Sequence, residues 1–140
     1  MEIIVEKTQD PNESAFLWAR LREHGLEKLS NPSLEYNCLF SILVKEAEEI
    51  IGGMLGEIYY KGLHISLLWV REDYRNKGVG TILMEKAEGL ARETESTVVY
   101  LDTFSFQAPR FYEKLGFSIL GQIENFPEGY TRFFLFKRIL

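Results

Sequence analysis

Apolar positions change period along this chain of 140 residues, and the changes mark its elements. Residues 3–6 are short and β-branched and read as a first strand. Asp10, Pro11 and Glu13 then open a helix. Asp10 can cap its free amides, Pro11 suits the first helical position, and Glu13 stands where a capping acid reaches back. Phe16, Leu17 and Leu21 supply its apolar face, and Asn31, Pro32 and Ser33 break the helical region. Period two follows, with Cys38, Phe40, Ile42 and Val44 alternating along a strand. A polar turn at 46–49 leads to a second strand at 50–60, interrupted by Gly52, Gly53 and Gly56. Lys61 and Gly62 read as a tight hairpin turn, and 63–70 as a third strand. Helical spacing returns at Val79, placing Val79, Ile82, Leu83, Ala87, Leu90 and Ala91 on one buried side. A strand at 97–102, a short helix at 109–115 ended by Gly116, and an antiparallel pair at 117–123 and 130–137 complete the pattern. The order predicts one domain over 1–140 with a mixed α/β (α+β) layer fold. The passage from 70 to 97 should be a right-handed crossover joining parallel strands.

Composition narrows the function classes. Ten Phe and seven Tyr call for an aromatic core, an apolar ligand cleft, or both. A net charge of -5 argues against nucleic acid as a partner and would suit a cationic acceptor such as an amine. Cys38 is the one cysteine, so no intrachain disulfide forms, which fits a reducing compartment. With only His24 and His64 beside it, no Cys/His metal site is expected. Residues 1–7 lack a signal peptide's apolar region, and no apolar run is long enough to span a bilayer, so a cytoplasmic protein without a membrane partner is expected.

The most specific chemistry lies between 70 and 81. An apolar strand leads into Arg71, Arg75 and Lys77, then Gly78 and Gly80, then a helix. The first amides of a helix lack intrahelical partners and carry the positive end of its dipole, so this order builds an anion site. Three phosphate chemistries compete for it. A nucleotide P-loop finds no match. A dinucleotide fingerprint, Gly-x-Gly-x-x-Gly, fits Gly78 and Gly80 but meets Leu83 at its third glycine, although Asp102 lies about where a ribose-binding acid would sit. The pyrophosphate loop of an acyl-CoA transferase, Arg/Gln-x-x-Gly-x-Gly/Ala, is satisfied at every specified position by Arg75, Gly78 and Gly80.

A second block, Phe111, Tyr112, Glu113, Lys114, Leu115, Gly116 and Phe117, follows the next strand. With the Arg-x-x-Gly-x-Gly loop it resembles the GNAT superfamily of N-acetyltransferases, over about residues 38 to 137 and most densely at 68–84 and 100–117. The resemblance implies a three-layer fold. Its central sheet is twisted and mostly antiparallel, one parallel pair is splayed to bind coenzyme A, and helices cover both faces. It implies acetyl-CoA as acyl donor, with no metal. The loop amides of Arg75, Asn76, Lys77, Gly78, Val79, Gly80 and Thr81 would hold the pyrophosphate. Main-chain groups of Leu68, Trp69 and Val70 would pair with the pantetheine arm. Tyr112 would act as general acid towards the leaving thiolate, against the alternative that it only packs. Phe111 and Leu115, one turn apart, are expected to face the core and Tyr112 to point elsewhere. Ser105 replaces the asparagine common in the family seven residues before that tyrosine, and its hydroxyl could bond the same arm. Ala108 keeps the family's residue. Phe104, Ser105, Phe106 and Gln107 are expected along the cofactor's route.

The base is open. If Lys61 and Gly62 form a two-residue turn, Tyr59 opposes His64 and Glu57 opposes Ser66, all on one face. Glu57 and His64 are then the candidates, against a plain structural role or ordered water. The favoured function is direct acetyl transfer from acetyl-CoA to a primary amine. An inactive acyl-CoA-binding sensor and a dinucleotide-dependent oxidoreductase are the rivals. Tyr36 in the first helical region, and the hairpin from Asn125 to Tyr130 with Glu124 and Glu128, would shape the acceptor pocket. An edge strand could pair across a homodimer.

Overall fold

A computed structural model describes residues 1–31, 34 and 37–139, so Pro32, Ser33 and Tyr36 lie outside the described residues. The chain divides into two compact units, Met1–Glu35 and Tyr36–Leu140.

The first unit is built on helix α1, Pro11–Lys28. The Asp10 carboxylate accepts from the amides of Asn12 at 2.8 Å and Glu13 at 3.1 Å, which is the expected cap. Residues 3–6 form no strand. Ile3, Ile4 and Val5 are at least 71% exposed, and among the described residues no strand pairs with them; β propensity alone gives a ladder no partner for its amides.

Among its described residues, the second unit has a six-stranded sheet and two α-helices. The strands are β1 Asn37–Glu46, β2 Glu49–Tyr59, β3 Gly62–Val70, β4 Val98–Phe104, β5 Ser118–Glu124 and β6 Thr131–Arg138. Their order is β1-β2-β3-β4-β6-β5, and every pairing is antiparallel except β3 with β4. Helix α2, Val79–Glu93, is the crossover between that parallel pair, and α3 is Pro109–Lys114. Residue alternation in the strands sends Met54, Ile58, Leu63, Val99 and Leu135 to one face, where they meet Leu83, Ala87 and Ala91 of α2. The opposite face carries Glu57, His64 and Tyr100.

The helix turns slightly from its expected orientation. Met84 is 2% exposed, whereas Ile82 is 49% exposed and lies with Ile42 and Val44 beside the edge strand β1. The sheet lies under the 83–84–87 side of α2, so Ile82 falls at its margin. A larger departure concerns the second hairpin. Its turn is Tyr60 and Lys61, both with positive φ (49° and 63°), while Gly62 pairs with Tyr59 inside the ladder. Tertiary bonds account for this choice. The Lys61 carbonyl accepts from the Thr97 amide at 2.8 Å, and the Lys61 ammonium donates to the Thr94 carbonyl at 3.1 Å. These hold Lys61 in a conformation that glycine would take more readily. Among the described residues no helix is long and apolar enough to cross a membrane.

Candidate active site

Strands β3 and β4 pair over only four positions, from Gly62↔Val98 to Ile65↔Leu101. Beyond them β3 continues beside β2 alone and β4 beside β6 alone. The parting coincides with a bulge: Gly56 pairs with Ile65 and Leu55 with Leu67, leaving Ser66 as the extra residue. A bulge bends its strand, here away from β4. Glycine is required opposite it, because a Cβ on Gly56 would collide with the His64 carbonyl and lie 2.5 Å from the Phe40 ring. A gap therefore opens between 66–70 and 102–104, at the carboxyl ends of parallel strands, where open α/β sheets bind ligands.

The chain leaves β3 through a short 3-10 turn, Glu72–Tyr74. It then passes Asn76 and Gly78 in the left-handed region (φ 60° and 83°) and enters α2. The Ile82 amide closes the first helical turn on the Gly78 carbonyl at 3.0 Å. Among the described residues, the amides from Asn76 to Thr81 have no main-chain acceptor in good hydrogen-bond geometry. Six consecutive free N–H groups at the positive end of a 15-residue helix make an anion cradle. The expected set began one residue earlier, but the Arg75 amide donates to the Glu72 carbonyl at 3.2 Å.

The basic residues divide their tasks. The Arg75 Nε donates to the Val70 carbonyl at 3.0 Å, so that carbonyl is taken. The Arg71 amide bonds Ile51 of β2, and by alternation the main chain of Trp69, opposite Gly53, also faces β2. Leu68 and the Val70 amide are therefore the groups left towards the gap, where Trp69 was expected as well. Arg71 is bound to Asp73 and Glu49 and does not stand as a free cation beside the loop. Lys77 lies over the Tyr74 ring, 5.5 Å from its centre.

The two sequence blocks meet in space. A Cβ on Gly80 would stand 3.1 Å from the Phe111 ring, so α2 begins in close contact with α3. Sequence reasoning put Phe111 and Leu115 in the core and Tyr112 outside; the structure reverses this. Tyr112 is the buried member at 9% exposure, edge-on to Phe111 and Phe117, with Phe111 and Leu115 half-buried around it. Six residues make less than two turns, so the face is set by where Phe111 contacts α2. Burial raises the Tyr112 phenol above its ordinary pKa. No buried side-chain polar atom among the described residues lacks a partner, so this phenol is not a sealed orphan.

Glu57 and His64 are direct cross-strand partners, not offset by two as the Lys61-Gly62 turn required. Tyr59 pairs with Gly62, and Ser66 is the bulge residue. A residue missed from the sequence joins them. Tyr100 is the parallel partner of His64, with ring centres 4.8 Å apart. Desolvation, then the Glu57 charge, raises the Tyr100 pKa. Its alternation with Val99 and Leu101 was legible; its neighbour depended on parallel register. This trio lies just before the gap, on the face opposite Tyr112.

Ser105 ties strand ends together. Its amide donates to the Thr131 carbonyl at 2.8 Å, and its hydroxyl accepts the Thr131 amide at 3.0 Å, leaving one hydroxyl proton to donate elsewhere. Ala108 caps α3. The Gln107 side-chain oxygen accepts from Thr103 and from the Phe104 amide, which folds the turn back on β4. The Phe104 and Phe106 rings stack at 5.2 Å, and Phe106 meets Tyr130 edge-on. Arg132, paired with Asp102 at 2.8 Å, lies over Phe104 and Phe126. Glu124 and Glu128 are exposed.

A single splayed parallel pair followed by a free-amide loop defines an acyl-CoA transferase architecture, and excludes the doubly wound parallel sheet that a dinucleotide enzyme would need. Comparison with known proteins agrees. The model of the acetyltransferase (GNAT) family matches residues 3–117, and the chain belongs to that family. It is 36% identical to a blasticidin-S acetyltransferase of Streptomyces morookaense over 67% of this chain and 70% of that one. A crystal structure of an acetyltransferase from Bacillus cereus is 33% identical and superposes with a TM-score of 0.82, covering 96% of this chain and 97% of that one. An aminoglycoside 6'-N-acetyltransferase complexed with coenzyme A shares the fold at 19% identity, with a TM-score of 0.67 over 100% of this chain and 98% of that one. The chain is an acyltransferase.

Proposed function

We propose that the protein transfers an acetyl group directly from acetyl-CoA to a primary amine. The free amides from Asn76 to Thr81, beside the gap between β3 and β4, carry this reading. The diphosphate of coenzyme A sits on those amides, with Gly78 allowing close approach. Its pantetheine arm runs in the gap along Leu68 and the Val70 amide, with the Ser105 hydroxyl and Ala108 towards the β4 side. The fold neighbour that holds coenzyme A supports the choice of cosubstrate.

The chemistry then uses both faces of the sheet. Helix α2 covers one face, so the amine approaches from the other, where Glu57 and His64 stand. One of them takes the ammonium proton. The neutral amine nitrogen bonds to the acyl carbon, and main-chain N–H groups near Leu68 to Val70 meet the oxygen's developing charge. As the carbon–sulfur bond breaks, the nitrogen releases its second proton to water, from which the Tyr112 phenolate is later reprotonated. Tyr112, on the α2 side, gives its proton to the departing sulfur. A phenol raised above its ordinary value of about 10 is fully protonated at neutral pH and able to donate. The exposed acids Glu124 and Glu128 favour a cationic acceptor. An edge strand, β1 or β5, is open to pairing in a homodimer.

The test is release of free thiol from acetyl-CoA across a panel of amines: aminoglycosides, blasticidin S, peptide N-termini and lysine peptides. Amine-dependent thiol release with a mass gain of one acetyl group on the acceptor is expected. Tight CoA binding without turnover on any amine would instead favour an acyl-CoA sensor.

A further inference from the structure

Arg71 looks from its position like a cation for the diphosphate, yet all three of its guanidinium nitrogens have other partners. Nε and one terminal nitrogen reach the two Asp73 oxygens at 2.6 and 2.9 Å, and the other terminal nitrogen reaches Glu49 at 2.9 Å. The guanidinium lies over the Tyr74 ring, 4.9 Å from its centre, and the nearby Glu46 carboxylate raises the Tyr74 pKa. Glu46 and Glu49 are themselves cross-strand partners at the β1–β2 turn. Two carboxylates directly opposite each other repel. Here Glu49 is bound by Arg71, and Glu46 lies beside Tyr74 of the same segment. The main chain adds one more tie, from the Arg71 amide to the Ile51 carbonyl at 2.8 Å.

We propose that Arg71 is a positioning residue that clamps the entrance of the phosphate loop to the β1–β2 turn, presetting the loop's amides without touching the ligand. This rests on the reading that the amides from Asn76 to Thr81 hold the diphosphate. Two considerations favour a clamp over a phosphate contact. The carboxylates of Asp73 and Glu49 outweigh the single charge of Arg71, so an incoming anion meets no net attraction there. A loop that must order on binding also loses affinity, and a bidentate, ring-stacked anchor removes that cost in advance. Hydrogen bonding from Arg71 holds the Asp73 carboxyl below its ordinary pKa, so the pair stays ionised at neutral pH.

The experiment measures coenzyme A binding by calorimetry at several salt concentrations, with acetyl-CoA kinetics alongside, for wild type, Arg71→Gln, Glu49→Gln, Asp73→Asn and the Arg71→Gln/Glu49→Gln double variant. A clamp predicts that each single variant weakens CoA by about two- to fivefold, raising KM for acetyl-CoA with kcat held. The double variant should be no weaker than Arg71→Gln alone, and the salt dependence should match wild type. If Arg71→Gln alone weakens binding and flattens the salt dependence while Glu49→Gln tightens it, Arg71 is a direct phosphate ligand and the clamp is overturned. Wild-type affinity in all variants overturns it as well. A wild-type protein that fails to bind CoA would sink the phosphate-loop reading itself, a result distinct from both.

Discussion

Tyr112 is where residue chemistry and packing bear on each other most closely. As general acid it should be needed for turnover and not for cofactor affinity. Tyr112→Phe is expected to lower kcat about 100-fold while CoA affinity, by calorimetry, stays within about twofold. An unchanged kcat would leave it as a packing residue only. Its raised pKa also carries a stability consequence. The folded state holds the phenolic proton more tightly than the unfolded chain, so its contribution is full below about pH 10 and is lost as pH rises through the folded value. Thermal melts above pH 10 should therefore fall less steeply for Tyr112→Phe. The loop glycines separate in the same way. Gly78 stands at φ 83° with open space around its Cα, so Gly78→Ala strains the backbone by about 1 kcal/mol and should weaken CoA through loop geometry. Gly80→Val also presses on the Phe111 ring, so a loss of CoA affinity there reports α2–α3 packing as much as phosphate approach. Calorimetry on both variants, read beside their melting temperatures, tells the effects apart.

Among the elements, β3 and its bulge shape the site. The alternation in β1 and the helical spacing of α2 were legible because each reports which side of a single element is apolar. The Tyr60–Lys61 turn was not, because bonds from Thr94 and Thr97, more than thirty residues away, hold it. The same one-residue shift turned Glu57 and His64 from offset neighbours into partners. Gly56→Ala is the corresponding test. A Cβ there collides with main chain across the bulge and should cost about 3 kcal/mol, read as a lower urea midpoint at unchanged m-value. Loss of acetyl transfer should accompany it, since the bulge turns β3 away from β4. A tolerated alanine would mean that the gap does not depend on the bulge.

For the protein as a body, ligand binding to the folded state alone should raise its stability. At 100 times the dissociation constant, coenzyme A adds about 2.7 kcal/mol, a rise of several degrees in Tm that shrinks with added salt. A melt indifferent to CoA would count against the phosphate loop. Order and spacing made a mixed α/β layer fold readable, and the resemblance to the GNAT superfamily, carried by the Arg75–Gly80 loop and the block around Tyr112, implied which one. Those patterns are local, and local chemistry is written in neighbouring residues. The meeting of Phe111 with Gly80, the burial of Tyr112, the capture of Arg71 by Glu49 and the contact of the Tyr100 ring with His64 were not readable. Each joins segments far apart in the chain, and which atoms then touch depends on register and helix rotation, quantities that neither residue type nor spacing encodes.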